Sequence, residues 1–204
     1  MVGGFNMELR KSQTYVNLKK AFIAECCART RYEFVEYGER FKGYEGLAKI
    51  VDEIAYQEFN HARMLYTEIE KASNGVIDNE EVCVSLPFRQ KWDMLENLKF
   101  SSEDEGDEAV FYEQASKTAE EEGFKDIAKL FSMIKTVELK HKKIFIYLYE
   151  KLKNGELYKS DTQKRWACPA CGYEATGEEA FDVCPLCKAK METVRINFPK
   201  ELML

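Results

Sequence analysis

The sequence predicts an all-α four-helix bundle followed by a small C-terminal metal-binding module. Three observations predict it. Long, proline-poor, charged-apolar stretches of helical period run from about 11 to 153. The only two histidines, His61 and His141, each sit three residues after a glutamate, in motifs 80 residues apart. Two Cys-x-x-Cys pairs follow near the C-terminus.

Four helices are expected, at about 11–41, 44–73, 88–121 and 124–153. In the first, Tyr15, Leu18, Phe22, Glu25, Arg29 and Tyr32 trace one stripe at i, i+3, i+4 spacing. In the second, Ile50, Ile54, Glu58, His61, Leu65 and Ile69 do the same. Breaks fall at Phe41-Lys-Gly43, Asn74-Gly75, Ser85-Leu-Pro87 and Gly123. Asn74-Gly75 reads as a helix stop, and Val76–Pro87 is too long for a tight hairpin and reads as a crossover. Lys153–Gln163 reads as a linker, dividing the chain into 1–155 and 156–204.

Glu58-Phe-Asn-His61 and Glu138-Leu-Lys-His141 each place a carboxylate and an imidazole on one helix face, one turn apart. A further glutamate stands 33 residues ahead of each, Glu25 and Glu105. The midpoints of the two glutamate pairs fall beside the expected turns near 42 and 122. In each antiparallel hairpin the paired glutamates therefore lie at equal height, about 25 Å from the turn at 1.5 Å rise per residue. Glu25, Glu58, His61, Glu105, Glu138 and His141 are thus expected to converge at mid-bundle around a pseudo-two-fold axis. Four buried carboxylates would repel one another or protonate unless cations lie between them. Four Glu and two His are the ligand set of di-iron carboxylate bundles. Glu108, three residues after Glu105, is a further candidate, as a seventh ligand or a nearby base. Gly106 between them costs about 1 kcal/mol against Ala in a helix, and signals local unwinding or close packing.

Cys168-Pro-Ala-Cys171 and Cys184-Pro-Leu-Cys187, twelve residues apart, specify a tetrahedral four-sulfur metal site. Iron and zinc share this geometry. Zinc would make the module a structural ribbon, iron a one-electron carrier. About 38 residues cannot build a core alone, so the metal is structural in either case. Gly172 permits a tight turn that aims N–H groups at sulfur. Trp166, Tyr173 and Phe181 are its expected small core, and Cys26, Cys27 and Cys83 are expected to be small buried hydrophobes.

Composition bounds the rest. The chain has 204 residues, 45% of them hydrophobic, and a net charge of −6. This acidic balance argues against nucleic acid and anionic lipid as partners. The odd count of seven cysteines argues against a disulfide framework. No apolar stretch approaches a membrane span and the N-terminus lacks a signal-peptide pattern, so a cytoplasmic protein is expected.

Further pieces are specific. They are Ala24-Glu25-Cys-Cys-Ala-Arg29-Thr-Arg31-Tyr32, Glu53-Ile-Ala-Tyr-Gln-Glu58-Phe-Asn-His61-Ala, Asn97-Leu98, Glu105-Gly-Asp-Glu108, Glu120-Glu-Glu-Gly123-Phe and Trp166-Ala-Cys168. With them the chain, from about 11 to 195, resembles rubrerythrin, a ferritin-like di-iron bundle followed by a rubredoxin-like domain. The resemblance implies that Glu25, Glu58, Glu105, Glu108, Glu138 and His141 bind two iron ions. His61 would be a histidine that exchanges with a carboxylate as iron changes redox state, and Tyr32 a tyrosine beside the centre. Cys168, Cys171, Cys184 and Cys187 would hold a third iron. Between Glu108 and Tyr112, however, this chain is one residue short of the family pattern. Counted from the Gly123 turn, the third-helix ligands become Asp104 and Asp107. Counted from Asn97 or by the 80-residue repeat, they are Glu105 and Glu108. The missing residue could remove a π-bulge.

The implied function is a peroxidase that protects against oxidative stress by reducing hydrogen peroxide to water. Glu108 and Tyr32 would assist at the di-iron centre. Electrons would come singly through the four-cysteine iron from an external donor, an NAD(P)H-linked flavoprotein or a rubredoxin. A homodimer is implied as well. Two rivals are a ferroxidase or iron-binding protein, and a zinc-loaded non-catalytic protein.

Overall fold

The computed structural model describes residues 8–73, 79–89 and 91–203. Four helices form two hairpins: α1 (Gln13–Phe41) with α2 (Glu45–Ser73), and α3 (Met94–Glu121) with α4 (Lys125–Lys153). Ser12 caps α1, its hydroxyl accepting from the Tyr15 N–H at 3.1 Å. The two turns share one geometry. Gly43 and Gly123 adopt φ of 89° and 88°, and the N–H of the following residue reaches back five positions, Tyr44 to Glu39 and Phe124 to Ala119. This is a Schellman ending, which leaves orphan helix carbonyls satisfied and needs a residue free to take positive φ.

Two apolar clusters fill the bundle. Leu18, Leu65, Tyr112, Ala119 and Phe131 belong to one, and Tyr32, Val35, Leu47, Leu98 and Phe145 to the other. The α1–α2 turn lies at the second cluster and the α3–α4 turn at the first, so the α2–α3 connection runs the length of the bundle. Residues 79–89 form the described part of this strap. Glu80 holds it to Arg10, Tyr15 and Lys19 at one end, and Arg89 holds it to Glu103 and Asp104 at the other. The Asn74-Gly75 stop and the first residues of the crossover lie outside the described residues.

Four expectations need correction, the last of them in the tail. Helix α3 starts at Met94, not 88: Asp93 is the cap, accepting from the Glu96 N–H at 2.8 Å, and the Asn97 amide clasps the Lys91 backbone from within the first turn. Lys159–Gln163 are not linker but the start of strand β1 (Lys159–Ala167), which pairs antiparallel with β2 (Glu174–Glu179). Most of β1 is solvated, so its backbone pairing left no apolar alternation to read. Of the three spare cysteines, Cys26 and Cys27 are half-buried and Cys83, on the strap, is exposed.

The tail does not make a core of its own. Trp166, Ala180, Val194, Ile196 and Leu202 join Leu47, Val51, Ile144 and Phe145 in one cluster, while Tyr173 and Phe181 stack edge-on at 5.7 Å. Contact is close at the start of α2, where a Cβ on Gly46 would lie 2.1 Å from the Val194 carbonyl oxygen. No described helix is long and apolar enough to cross a membrane.

Candidate metal centres

A polar layer separates the two apolar clusters. Glu25 comes from α1, Glu58 and His61 from α2, Glu105 from α3, and Glu138 and His141 from α4; all six are buried. Their ligand atoms form two overlapping groups, Glu25–Glu58–His61–Glu138 and Glu58–Glu105–Glu138–His141, each within 4.8 Å. Glu58 and Glu138 belong to both. Nδ1 of His61 lies 2.9 Å from Glu58, 3.0 Å from Glu138 and 3.5 Å from Glu25. Nδ1 of His141 lies 3.0 Å from Glu58, 3.1 Å from Glu138 and 3.5 Å from Glu105.

The electrostatics explain what such a layer needs. Burial, reinforced by Glu138 and Glu58, pushes the Glu25 carboxyl well above the ordinary range. Burial does the same to Glu105, against the pull of His141. For Glu58, burial is outweighed by His141 and His61, which hold it low. Burial disfavours a charged His61 or His141, yet the surrounding carboxylates raise both. Without cations, such a layer could be neutralised only by protons shared among its carboxylates and imidazoles. Glu25 Oε2, Glu58 Oε1, Glu105 Oε2 and Glu138 Oε1 are buried and, among the described residues, meet no hydroxyl or amide donor, each facing only an imidazole Nδ1 at 3.0–3.5 Å. One orphan oxygen per carboxylate, beside two inward imidazole nitrogens, fits a pair of divalent cations.

Of the surrounding groups, the sequence reading names Tyr32 but neither Tyr112 nor Gln57. Tyr32 donates its hydroxyl to Glu105, and Tyr112 donates to Glu25. Each tyrosine thus reaches across to the other hairpin's glutamate, and the two are 80 residues apart, a repeat that could have revealed Tyr112. Burial first, then the facing glutamate, pushes both phenols well up, so they remain donors. His141 Nε2 lies 2.8 Å from the Gln57 amide oxygen, a partner that assigns the proton to Nε2 and leaves Nδ1 for a cation.

On the third helix the structure brings Glu105 into the layer. Asp104 instead meets Arg31 and Arg89, and Asp107 is exposed. Helix α3 is continuous and α-helical from Met94 to Glu121, with no π-turn. Gly106 marks close packing, not unwinding: a Cβ there would lie 2.7 Å from Lys142 Nζ. Glu108 is in neither four-residue group. It retains 16% exposure and ion-pairs with Arg31 at 3.5 Å. It borders a cavity of about 610 Å3 between the strap, α1 and α3.

In the tail, the Sγ atoms of Cys168, Cys171, Cys184 and Cys187 lie within 4.8 Å of one another. Two matching turns present them, closed by Gly172 N–H to Cys168 and Lys188 N–H to Cys184 at 2.9 and 3.0 Å. Burial would raise the Cys184 thiol, but backbone N–H groups of Cys187 and Leu186 draw it down to about 7. These donors favour a thiolate, the form that binds metal.

Fold and sites together define a ferritin-like di-metal carboxylate bundle carrying a rubredoxin-like tail. The rubrerythrin family model matches residues 17–95 and 96–173, and the model of the rubrerythrin rubredoxin-like domain matches 166–193. The chain belongs to the rubrerythrin family. It is 35% identical to a rubrerythrin of Clostridium perfringens over 180 residues, covering 88% of this chain and 91% of that one. It is 32% identical to a rubrerythrin of Porphyromonas gingivalis over 197 residues, covering 95% and 96%. Among solved structures, mixed-valence nigerythrin matches with a TM-score of 0.60 at 24% identity, covering 94% of each chain. A Desulfovibrio desulfuricans bacterioferritin matches with a TM-score of 0.63 at 22% identity, covering 76% of this chain and 87% of that one. At these identities the structural likeness speaks for the fold. The carboxylate–histidine layer could hold a di-iron site, and the four cysteines could hold a further metal.

Proposed function

We propose that this chain is a peroxidase that reduces hydrogen peroxide to two water molecules, consuming two protons and two electrons. The observation that carries this reading is the buried layer of two overlapping carboxylate–histidine groups in a rubrerythrin-family chain. Bound iron would supply two electrons and Lewis acidity there.

The chain's own residues supply the rest. Glu25, Glu58, His61 and Glu138 would hold one ion, and Glu58, Glu105, Glu138 and His141 the other. Tyr32 and Tyr112 orient Glu105 and Glu25 by donating to one oxygen of each, which leaves the other oxygen for a cation. Gln57 orients His141. The cavity beneath the strap gives a small substrate access as far as Glu108 and Tyr112. Glu108, partly exposed there, would pass protons from the cavity to the departing oxygens. The apolar clusters above and below exclude bulk water from the layer.

In this reading residues 1–155 carry the chemistry and 156–204 carry electrons. Cys168, Cys171, Cys184 and Cys187 would bind the iron that returns electrons one at a time. With no nucleotide- or flavin-binding motif in the sequence, the donor is external, an NAD(P)H-linked flavoprotein or a rubredoxin. Family resemblance supports a homodimer.

The test is anaerobic. Iron-loaded, reduced protein is mixed with peroxide or with dioxygen, and oxidation of the layer iron is followed by its absorbance. Faster oxidation by peroxide is expected. Equal or faster oxidation by dioxygen, with uptake of iron well beyond about three per chain, would instead establish a ferroxidase or storage role. A red iron–thiolate spectrum is expected from the tail, and a colourless zinc-loaded tail would remove the electron route.

A further inference from the structure

Glu108 faces Arg31, whose Nη2 lies 3.5 Å from Glu108 Oε1 and 3.7 Å from Asp104 Oδ2. The Arg31 side chain is 8% exposed, and its Nε and Nη1 donate to no protein group among the described residues. A buried guanidinium is costly unless carboxylates meet it. One donor arm here serves two of them, and Asp104 is held from its far side by Arg89 on the strap.

The repeat sharpens this. Eighty residues from Glu108 stands Ala28, from Arg31 stands Phe111, and from Asp104 stands Ala24. The Arg31–Glu108 pair and its supporting aspartate therefore occur on one side only of a layer whose ligands are otherwise matched.

We propose that Arg31 is a positioning residue that holds Glu108 at the rim of the metal layer, outside the ligand set, with Asp104 as the counter-ion that remains when Glu108 turns inward. Held at the rim, Glu108 leaves His61 to complete the group with Glu25, Glu58 and Glu138. When Glu108 leaves, Asp104 keeps the guanidinium from standing as an unpaired buried charge, so the movement costs little. Competition between two carboxylates for one cationic arm sets where Glu108 rests. This proposal rests on the two-metal reading above.

The test is a double-mutant cycle on metal binding. Full-length protein with zinc in the four-cysteine site is titrated with Co2+ by calorimetry, as wild type, Arg31→Gln, Glu108→Gln and the double variant. Released from Arg31, Glu108 joins the cation beside Glu25 and His61. Arg31→Gln should therefore tighten that cation about tenfold, and the gain should vanish when Glu108 is also Gln. An equal gain in both backgrounds would mean that Arg31 acts only as a distant charge, and would overturn the proposal. Should Arg31→Gln fail to fold, Arg31→Lys, which keeps the charge and loses the fork, enters the same cycle. Coupling above about threefold is then expected, and a smaller value overturns the proposal. If wild type binds fewer than two Co2+ beyond the zinc, the two-metal reading itself fails, a result distinct from two bound cations without coupling.

Discussion

The α1–α2 and α3–α4 hairpins carry the same Glu and Glu-x-x-His signature 80 residues apart, but they do not treat their histidines alike. His141 is fully buried and its Nε2 is held by Gln57. His61 keeps slight exposure, and its Nε2 has no hydrogen-bond partner among the described residues. The repeat locates the cause. The position matching Gln57 is Val137, which cannot accept a hydrogen bond. Matched ligands thus give a symmetric cage, while unmatched neighbours hold one imidazole at both nitrogens and the other at Nδ1 alone. Glu108 and Arg31 add to the same imbalance.

The comparison can be broken most severely at the shared carboxylates. Glu58→Gln or Glu138→Gln should lose both layer metals, taking total iron from about three to about one per chain. Glu25→Gln or Glu105→Gln should lose only one. Metal analysis after desalting checks this, and equal losses from all four would refute the overlapping groups. Next comes the anchored imidazole. Gln57→Leu should weaken the cation at His141 by about 10–100-fold, whereas Val137→Leu should leave the cation at His61 within about threefold, measured by Co2+ titration.

The pH response of the metal-free bundle follows from the shifted groups. Glu25 and Glu105 have folded pKa values above their unfolded ones, so the stability they contribute is complete below about pH 4 and is lost as pH rises. His61 and His141 are also raised, and their contribution is lost on the alkaline side of about pH 6.5. Glu58 runs oppositely, stabilising above about pH 4. The sum predicts a metal-free Tm that falls by several degrees between about pH 5.5 and 8, while metal affinity rises because ligands must deprotonate. Calorimetric scans across that range check it, and a rising metal-free Tm would contradict it.

The smallest effects test the matched parts. Tyr32→Phe and Tyr112→Phe should each cost about 1–3 kcal/mol in the metal-free protein, since each leaves a buried glutamate oxygen without its donor. Nearly equal losses in chemical denaturation would support their equivalence. Gly106→Ala should change stability by no more than about 1 kcal/mol, because the helix gains what moving the flexible Lys142 end loses.

The four helices, the six layer residues and the four cysteines were legible in the sequence because local chemistry writes them at regular spacing. The start of α3 could have been read from Asp93 and Glu96, a cap followed three residues later by a glutamate. Tyr112 could have been found from Tyr32 and the repeat. Strand β1 could not, since it is held by backbone pairing and shows water most of its side chains.

What the sequence determined by itself is the inventory: which helix faces are apolar, where carboxylates and imidazoles interrupt them, and which cysteines can share a metal. These follow from helical period and ligand spacing along one chain. Only the tertiary structure decided that each tyrosine serves the opposite hairpin, that Gln57 anchors His141, that Arg31 pairs with Glu108, and that the tail shares a core with the bundle. Those contacts join residues tens of positions apart through side chains whose direction depends on packing. No local spacing encodes which of several nearby carboxylates a buried hydroxyl or guanidinium will meet.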